Sequence, residues 1–233
     1  MRKHIIIIYI LLLFAANWFF SNFLTLKDYN EKRFTLHTIT EINVRSFSKP
    51  KAKKATAAAF TRIKEIEKKL NYFDPLSETS QLNRIAYYQD VPVSREMIEI
   101  LQAAINGSKL TNGAFDITAT PITRLYGFGT EKKQIPSKSK LSNTLTSVGY
   151  QHIKINTANS TVRFTKRGLM IDLGGIIKGY AVDQAVKTLQ TAGIKNGLVN
   201  AGGNIYAFGT KKGKPWRIAI KNPANTQNIT GEI

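Results

Sequence analysis

Twenty-two consecutive residues near the start of the chain, Ile5 to Leu26 (IIIIYILLLFAANWFFSNFLTL), carry no charge. About 20 residues of α-helix cross the hydrocarbon core of a bilayer, so this run has the length of a membrane span. Met1-Arg2-Lys3-His4 precedes it, and positive charge there keeps that end in the cytoplasm and sends the rest of the chain outward. A helix packed on one face against a domain core would carry a polar, charged stripe along its length, whereas this run holds no charge. The alternative is a cleaved signal peptide, but Ala15-Ala16 lead into Asn17 and Trp18, a poor cleavage site. An uncleaved N-terminal transmembrane helix is therefore favoured. The sequence divides into a signal anchor over 1–26, a juxtamembrane linker over 27–38 and a folded domain over 39–233. The expected location is the inner (cytoplasmic) membrane, single-pass, with the domain on the outer, periplasmic side.

Roughly 200 residues are left to fold, enough for one domain with a substantial core. The formal net charge is +19, from 34 Lys and Arg against 15 Asp and Glu. Such an excess sets up a positive field that suits anionic lipid heads, nucleic acid or an anionic cofactor. The basic residues are scattered, which argues against nucleic acid. The chain has no cysteine, so a disulfide framework, a thiolate metal site and a Cys nucleophile are excluded. Its three histidines, His4, His37 and His152, argue against a multi-histidine metal centre.

Along the folded part, Ile39 to Ser46 alternates as a strand. Ala59, Ile63, Ile66, Leu70 and Phe73 then recur at spacings of four and three, one face of an amphipathic helix. Its many lysines read as a solvated face. A turn is expected at Asp74-Pro75, and a second helix over about Arg95 to Leu110 with Ser94 as its N-cap. Thr111 to Gly129 lacks periodicity, and long irregular segments in compact domains are usually functional. His152–Asn156 and Thr161–Thr165 read as a hairpin. Leu169 to Leu173 reads as a buried strand, Val182 to Leu189 as a third helix closed by Gly193, Gly197 to Asn200 as a strand, and Trp216 to Lys221 as a last strand. The mixture predicts an α+β fold in one domain.

Three segments carry residues suited to chemistry. In IDLGGIIKGYAVD, Ile171 to Asp183, a strand delivers Asp172 to its end and two glycines let the backbone turn and approach a ligand. Lys178 follows at a helix start, where free N–H groups and partial positive charge favour phosphate. Asp172 supplies a hard oxygen of the kind Mg²⁺ prefers. The alternative is a tight turn with Asp172 as a cap. In GAFDITATP, Phe115 is suited to stack on a ring and Asp116 to accept a bond from a cofactor. The alternative is core packing by Phe115 and an Asx-turn by Asp116. In NAGGNIYAFG, Asn200 and Asn204 flank two glycines, which suits ligand approach or a β-turn between strands.

Taken in order, YFDPLSETSQLNR, NGAFDITATPITRLYGFG, IDLGGIIKGYAVDQAV, NAGGNIYAFG and PWRIAIKNP resemble the ApbE family, the FAD:protein FMN transferases, over about residues 39–223. Motifs of this length in one order are much more specific than a lone glycine pattern. The resemblance implies a single mixed α/β domain of the T-fold-like ApbE type. It implies Mg²⁺-dependent transfer of FMN from FAD to a Ser or Thr hydroxyl of an acceptor protein, with release of AMP. It further implies that the acceptor is a membrane electron-transport subunit. By the family pattern, Ala114, Phe115, Asp116, Asp172 and Lys178 would contact FAD, and the Gly175 carbonyl would contact Mg²⁺. Tyr72, Phe73 and Asp74 would border the flavin. No catalytic residue is assigned. The family runs on for roughly another hundred residues, about half a domain. That part carries a His-Ile-x-Asp-Pro-x-Thr-Gly-like motif and an Asp and a Thr that complete the Mg²⁺ site. The chain is therefore expected to be C-terminally truncated, with little transferase activity as it stands. Two other functions compete with transfer: an FAD-binding, transfer-inactive membrane module, and a basic surface protein bound to anionic lipid or polymer.

Overall fold

The computed structural model describes residues 10, 12–14, 25–224 and 228–233. Most of the expected anchor therefore lies outside the described residues. Among the described residues no helix is long and apolar enough to cross a membrane.

The chain forms two compact units, Met1–Arg62 with Val182–Ile233, and Ile63–Ala181. The first is built on an antiparallel sheet in the order β1-β2-β6-β7. Its strands are β1 (Lys27–Thr35), β2 (Thr38–Ser46), β6 (Asn196–Ala201) and β7 (Asn204–Phe208). The linker expected over 27–38 is corrected here: β1 pairs along its length with β2, from Lys27↔Ser46 to Thr35↔Thr38. Its residues are mostly polar because it is an edge strand, so hydropathy does not mark it. Helix α1 (Lys49–Leu70) follows β2. On β2, Thr40, Ile42 and Val44 are buried while Ile39 is exposed, the alternation of a sheet with one covered face. Ala52, Ala55, Ala59 and Phe60 of α1 are buried too, with Val182, Ala185, Val186 and Leu189 of α6 (Ile177–Thr191). Arg33 of β1 lies 4.6 Å over the Phe60 ring and its Nε donates to Glu31 at 2.8 Å. Burial works to raise the Glu31 carboxyl. Hydrogen bonds from Arg33 and Thr56 and the charges of Arg33 and Lys53 outweigh it and hold the group below its ordinary value. The expected last strand is shorter than Trp216–Lys221: β8 runs over Ala219–Lys221 and pairs with β9 (Ile229–Glu232), and Ile218 exchanges backbone hydrogen bonds with Ile233 just before it. The Trp216 indole instead donates to the Phe208 carbonyl at 3.1 Å.

The second unit joins helices to a small antiparallel sheet in the order β3-β5-β4. Its strands are β3 (Val91–Pro92), β4 (Ile153–Asn156) and β5 (Thr161–Phe164), and the β4–β5 hairpin is the expected one. The helices are α2 (Glu78–Ile85), α3 (Arg95–Leu110), α4 (Thr120–Leu125) and α5 (Lys138–Leu145). Ser94 caps α3 as expected, accepting from Met97 N at 3.3 Å. Glu78 holds Ser94 in turn, accepting from its N at 2.9 Å and its Oγ at 3.0 Å. Ile63, Ile66 and Leu70 from the end of α1 are buried, with Leu82, Met97, Ile100, Leu101, Phe164 and Ile171. Phe73, read as a continuation of the α1 stripe, lies beyond the helix and is 65% exposed.

Candidate functional site

A cleft of about 820 Å³ opens in the second unit. One wall is the segment after α1, with Tyr72, Phe73 and Pro75; another is α2, with Ser80, Asn83 and Arg84. Thr120, Thr123 and Arg124 of α4 and the Phe128–Thr130 loop form the next, and Met170 and Asp172 complete it.

Local hydrogen bonds set each wall. Ser77 caps α2, accepting from Ser80 N at 3.1 Å, and the Ser80 hydroxyl donates to the Tyr72 carbonyl at 3.1 Å. The Tyr72 and Phe73 rings meet edge to face, with centroids 5.0 Å apart. Phe128, 60% exposed, adds another ring to the same cleft. Two guanidiniums supply positive charge. Arg84 Nη1 donates to the Pro75 carbonyl at 2.7 Å, and Arg124 Nη1 reaches Met170 Sδ at 3.3 Å.

Leu169–Leu173, expected as a buried strand, joins no sheet. Asn83 takes the place of a neighbouring strand. Its Nδ2 donates to the Ile171 carbonyl at 2.9 Å and its Oδ1 accepts from Ile171 N at 2.7 Å. One carboxamide thus satisfies both backbone groups of a fully buried residue. The next backbone N–H, of Asp172, donates to the Ile117 carbonyl at 2.9 Å. The Asp172 carboxylate is aimed by an Asx-type turn, in which Oδ1 accepts from Gly174 N at 2.8 Å. This segment brings Asp172 to the cleft, where a strand end was expected to deliver it.

The remaining candidates divide. Tyr72, Phe73 and Asp172 line the cleft together. Asp74 shapes the turn before α2, accepting from Leu76 N at 2.9 Å, and is not among the lining residues. Ala114, Phe115, Asp116, Gly175 and Lys178 are not lining residues either. Phe115 packs against two glycines: a Cβ on Gly175 would stand 3.0 Å from its Cε2, and one on Gly107 3.3 Å from its Cδ1. Gly175 is thus explained first by close packing. Asp116 is the Asx-turn of the alternative reading. Its Oδ1 accepts from Thr118 N at 2.8 Å and Thr118 Oγ1 at 2.7 Å, and its Oδ2 from Tyr150 N at 3.0 Å. Lys178 lies half-buried in the first turn of α6. In the first unit, Asn200 and Asn204 hold the β6–β7 turn. Asn200 Oδ1 accepts from Gly203 N at 2.8 Å, and Gly202 and Gly203 take φ of 57° and 94°. Asn83, Arg84, Arg124 and Phe128 were not singled out by sequence, although all four lie inside the segments that resemble the family.

Among the described residues no group of three or more His, Asp or Glu side chains could hold a metal ion. Asp172 is the single carboxylate among the residues that line the cleft. Mg²⁺ in nucleotide sites commonly uses one or two carboxylates and completes its shell with water and substrate phosphates. This sparse donor set fits that pattern.

The ApbE family model matches residues 36–233. The FAD:protein FMN transferase of Haemophilus influenzae is 32% identical over 170 residues, covering 70% of this chain and 49% of the relative. The enzyme of the same name from Vibrio cholerae is 32% identical over 174 residues, 73% of this chain and 52% of the relative. The crystal structure of an ApbE protein from Thermotoga maritima superposes with a TM-score of 0.81 at 31% identity, covering 89% of this chain and 67% of that one. The flavin transferase ApbE from Vibrio cholerae gives 0.77 at 28% identity, covering 85% and 65%. The chain spans about half the length of the curated relatives it matches.

Proposed function

The chain belongs to the ApbE family, and from that membership we propose that it serves protein flavinylation: Mg²⁺-dependent transfer of FMN from FAD to a Ser or Thr hydroxyl of an acceptor protein, with AMP leaving. The observation that carries the proposal is the cleft itself, where exposed aromatic rings, two guanidiniums and the Asp172 carboxylate share one wall system. Flat rings offer stacking surfaces to an isoalloxazine or an adenine. Arg84 and Arg124 offer planar donors suited to phosphate oxygens.

In the proposed reaction the acceptor hydroxyl oxygen attacks the phosphorus on the FMN side of the pyrophosphate. The bond from that phosphorus to the bridging oxygen breaks, the bridging oxygen leaves with AMP, and the hydroxyl proton passes to a base. Catalysis of this kind is mostly positioning and charge neutralisation. Mg²⁺, when bound, would neutralise phosphate charge. Asp172, held by Gly174 N–H, would present its carboxylate at the phosphates with its direction already fixed. Asn83 would keep that segment in place. Ala114 and Lys178 enter the proposal from the family pattern as further FAD contacts, and Gly175 as a Mg²⁺ contact through its carbonyl. The apolar run Ile5–Leu26 would hold the protein at the cytoplasmic membrane, with its folded units outside and a membrane electron-transport subunit as acceptor.

The test incubates the full-length gene product with FAD, Mg²⁺ and an acceptor domain bearing a Ser or Thr target, followed by intact-mass spectrometry of the acceptor. A gain of one FMN, blocked by a chelator, is expected. Flavin that co-purifies and washes out on denaturation, without a mass gain, would instead favour the transfer-inactive binding module.

A further inference from the structure

We propose that the base of the β1–β2 hairpin, with the start of α1, is a docking surface for an anionic phospholipid bilayer. The inference rests on the proposed anchoring and adds to it which face of the first unit meets the lipid. The chain leaves the apolar run at Leu26, whose carbonyl accepts from Arg45 Nη2 at 3.2 Å. Arg45 is itself tied to Asp28 at 2.7 Å. The exit point is thus fixed to the sheet. Ile10, Leu12, Leu13 and Phe14, four of the described residues inside the run, are exposed, from 48% to 71%.

The surroundings of that exit suit a lipid surface. Lys27 pairs with Ser46 in the register, and the next residue, Phe47, is 56% exposed. Ser46 Oγ accepts from Ser48 N at 3.1 Å, which makes the turn into α1 tight. Lys49, Lys51, Lys53 and Lys54 come directly after it, all exposed, and the first turn of α1 holds no acidic side chain. Lys49 and Lys53 line one hollow with Asp28 and Glu31 of β1, so these lysines stand beside the strand that emerges from the run. The first unit as a whole carries sixteen Lys and Arg against five Asp and Glu from residue 27 onward. Basic side chains next to a membrane segment bind anionic headgroups, and an exposed aromatic beside them suits the interfacial layer.

The opposite end of the hairpin supplies an internal control. Phe34, 68% exposed, pairs with Ile39 there. Ile39 lies near the start of β2 and Phe47 directly follows its last residue, eight residues on, or about 26 Å at the rise of a strand.

The chain has no cysteine, so Phe47→Cys and Phe34→Cys each give one labelling site. Full-length protein carrying an environment-sensitive fluorophore is reconstituted in phosphatidylcholine vesicles with and without phosphatidylglycerol. The label at 47 is expected to shift to the blue and to be quenched by a lipid-borne quencher, more so with phosphatidylglycerol, while the label at 34 stays aqueous. Lys49→Gln should lower the docked-to-undocked ratio about five-fold, and high salt should do the same in the wild-type background. Flotation with vesicles but equal aqueous signals at 47 and 34 would overturn the docking surface and leave the anchor standing. Failure to float with vesicles would overturn the anchor and the docking surface with it.

Discussion

Asn83→Ala removes the single side chain that stands in for a strand beside Ile171. Two hydrogen bonds disappear, of 2.9 Å and 2.7 Å, and they leave a buried backbone N–H and C=O without their partner. Each such orphan costs about 1–3 kcal/mol, and Asn83 is half-buried, so entering water recovers part of it. The expected loss is about 2–4 kcal/mol, or a fall in Tm of roughly 5–15 °C for a chain of this size. Chemical denaturation followed by circular dichroism measures it. Asn83→Asp sharpens the test. It keeps the acceptor for Ile171 N–H but sets a carboxylate oxygen against the Ile171 carbonyl, so it should be no milder than Asn83→Ala. The same substitutions loosen the segment that carries Asp172, and FAD affinity should fall with them under conditions where the variants remain folded. An Asn83→Ala protein within about 0.5 kcal/mol of wild type, the range of an ordinary surface change, would refute the assigned role.

Asp116→Asn should cost about 1–3 kcal/mol in denaturant melts, because an amide in place of the carboxylate cannot accept from both Thr118 and Tyr150 N–H in the present geometry. Gly175→Ala should cost about 1–3 kcal/mol through the contact of its new Cβ with Phe115, and much less in a Phe115→Leu background; equal costs in both backgrounds would contradict the packing explanation. The Glu31 carboxyl sits below its ordinary value in the folded state. Its contribution is therefore present above the ordinary carboxylate range and is lost as pH falls through the lowered pKa. Glu31→Gln should flatten that acid limb in melts run from neutral to acid pH, and an unchanged limb would contradict it.

Periodicity made α1, α3 and α6 legible, because each buries a stripe at helical spacing, and alternation did the same for β2. The Ser94 cap was legible from residue type alone. β1 was not, since an edge strand of charged residues has no hydropathy signature and is defined by its partner. Leu169–Leu173 was legible as a largely buried segment, but not as one that joins no sheet and is held by a side chain 88 positions away. Distant pairing of that kind leaves no local trace. At the cleft, Asp172 and the Tyr72-Phe73 pair were marked by their motifs. Arg84, Arg124 and Phe128 were not, because a lone Arg or Phe looks the same on any solvated surface until the fold brings it beside others. Asp116 shows the converse: the residue type suited ligand binding, yet its carboxylate is engaged with Thr118 and Tyr150.

The central claim is that the cleft walled by Tyr72, Phe73, Arg124 and Asp172 takes up FAD. Flavin fluorescence anisotropy, titrated with wild-type protein and with Arg124→Ala, tests it most directly. Saturable binding by the wild type is expected, with at least about ten-fold weaker binding in the variant for the loss of a charge-assisted phosphate contact. Equal FAD affinity in the two proteins, or none in the wild type, would contradict the account.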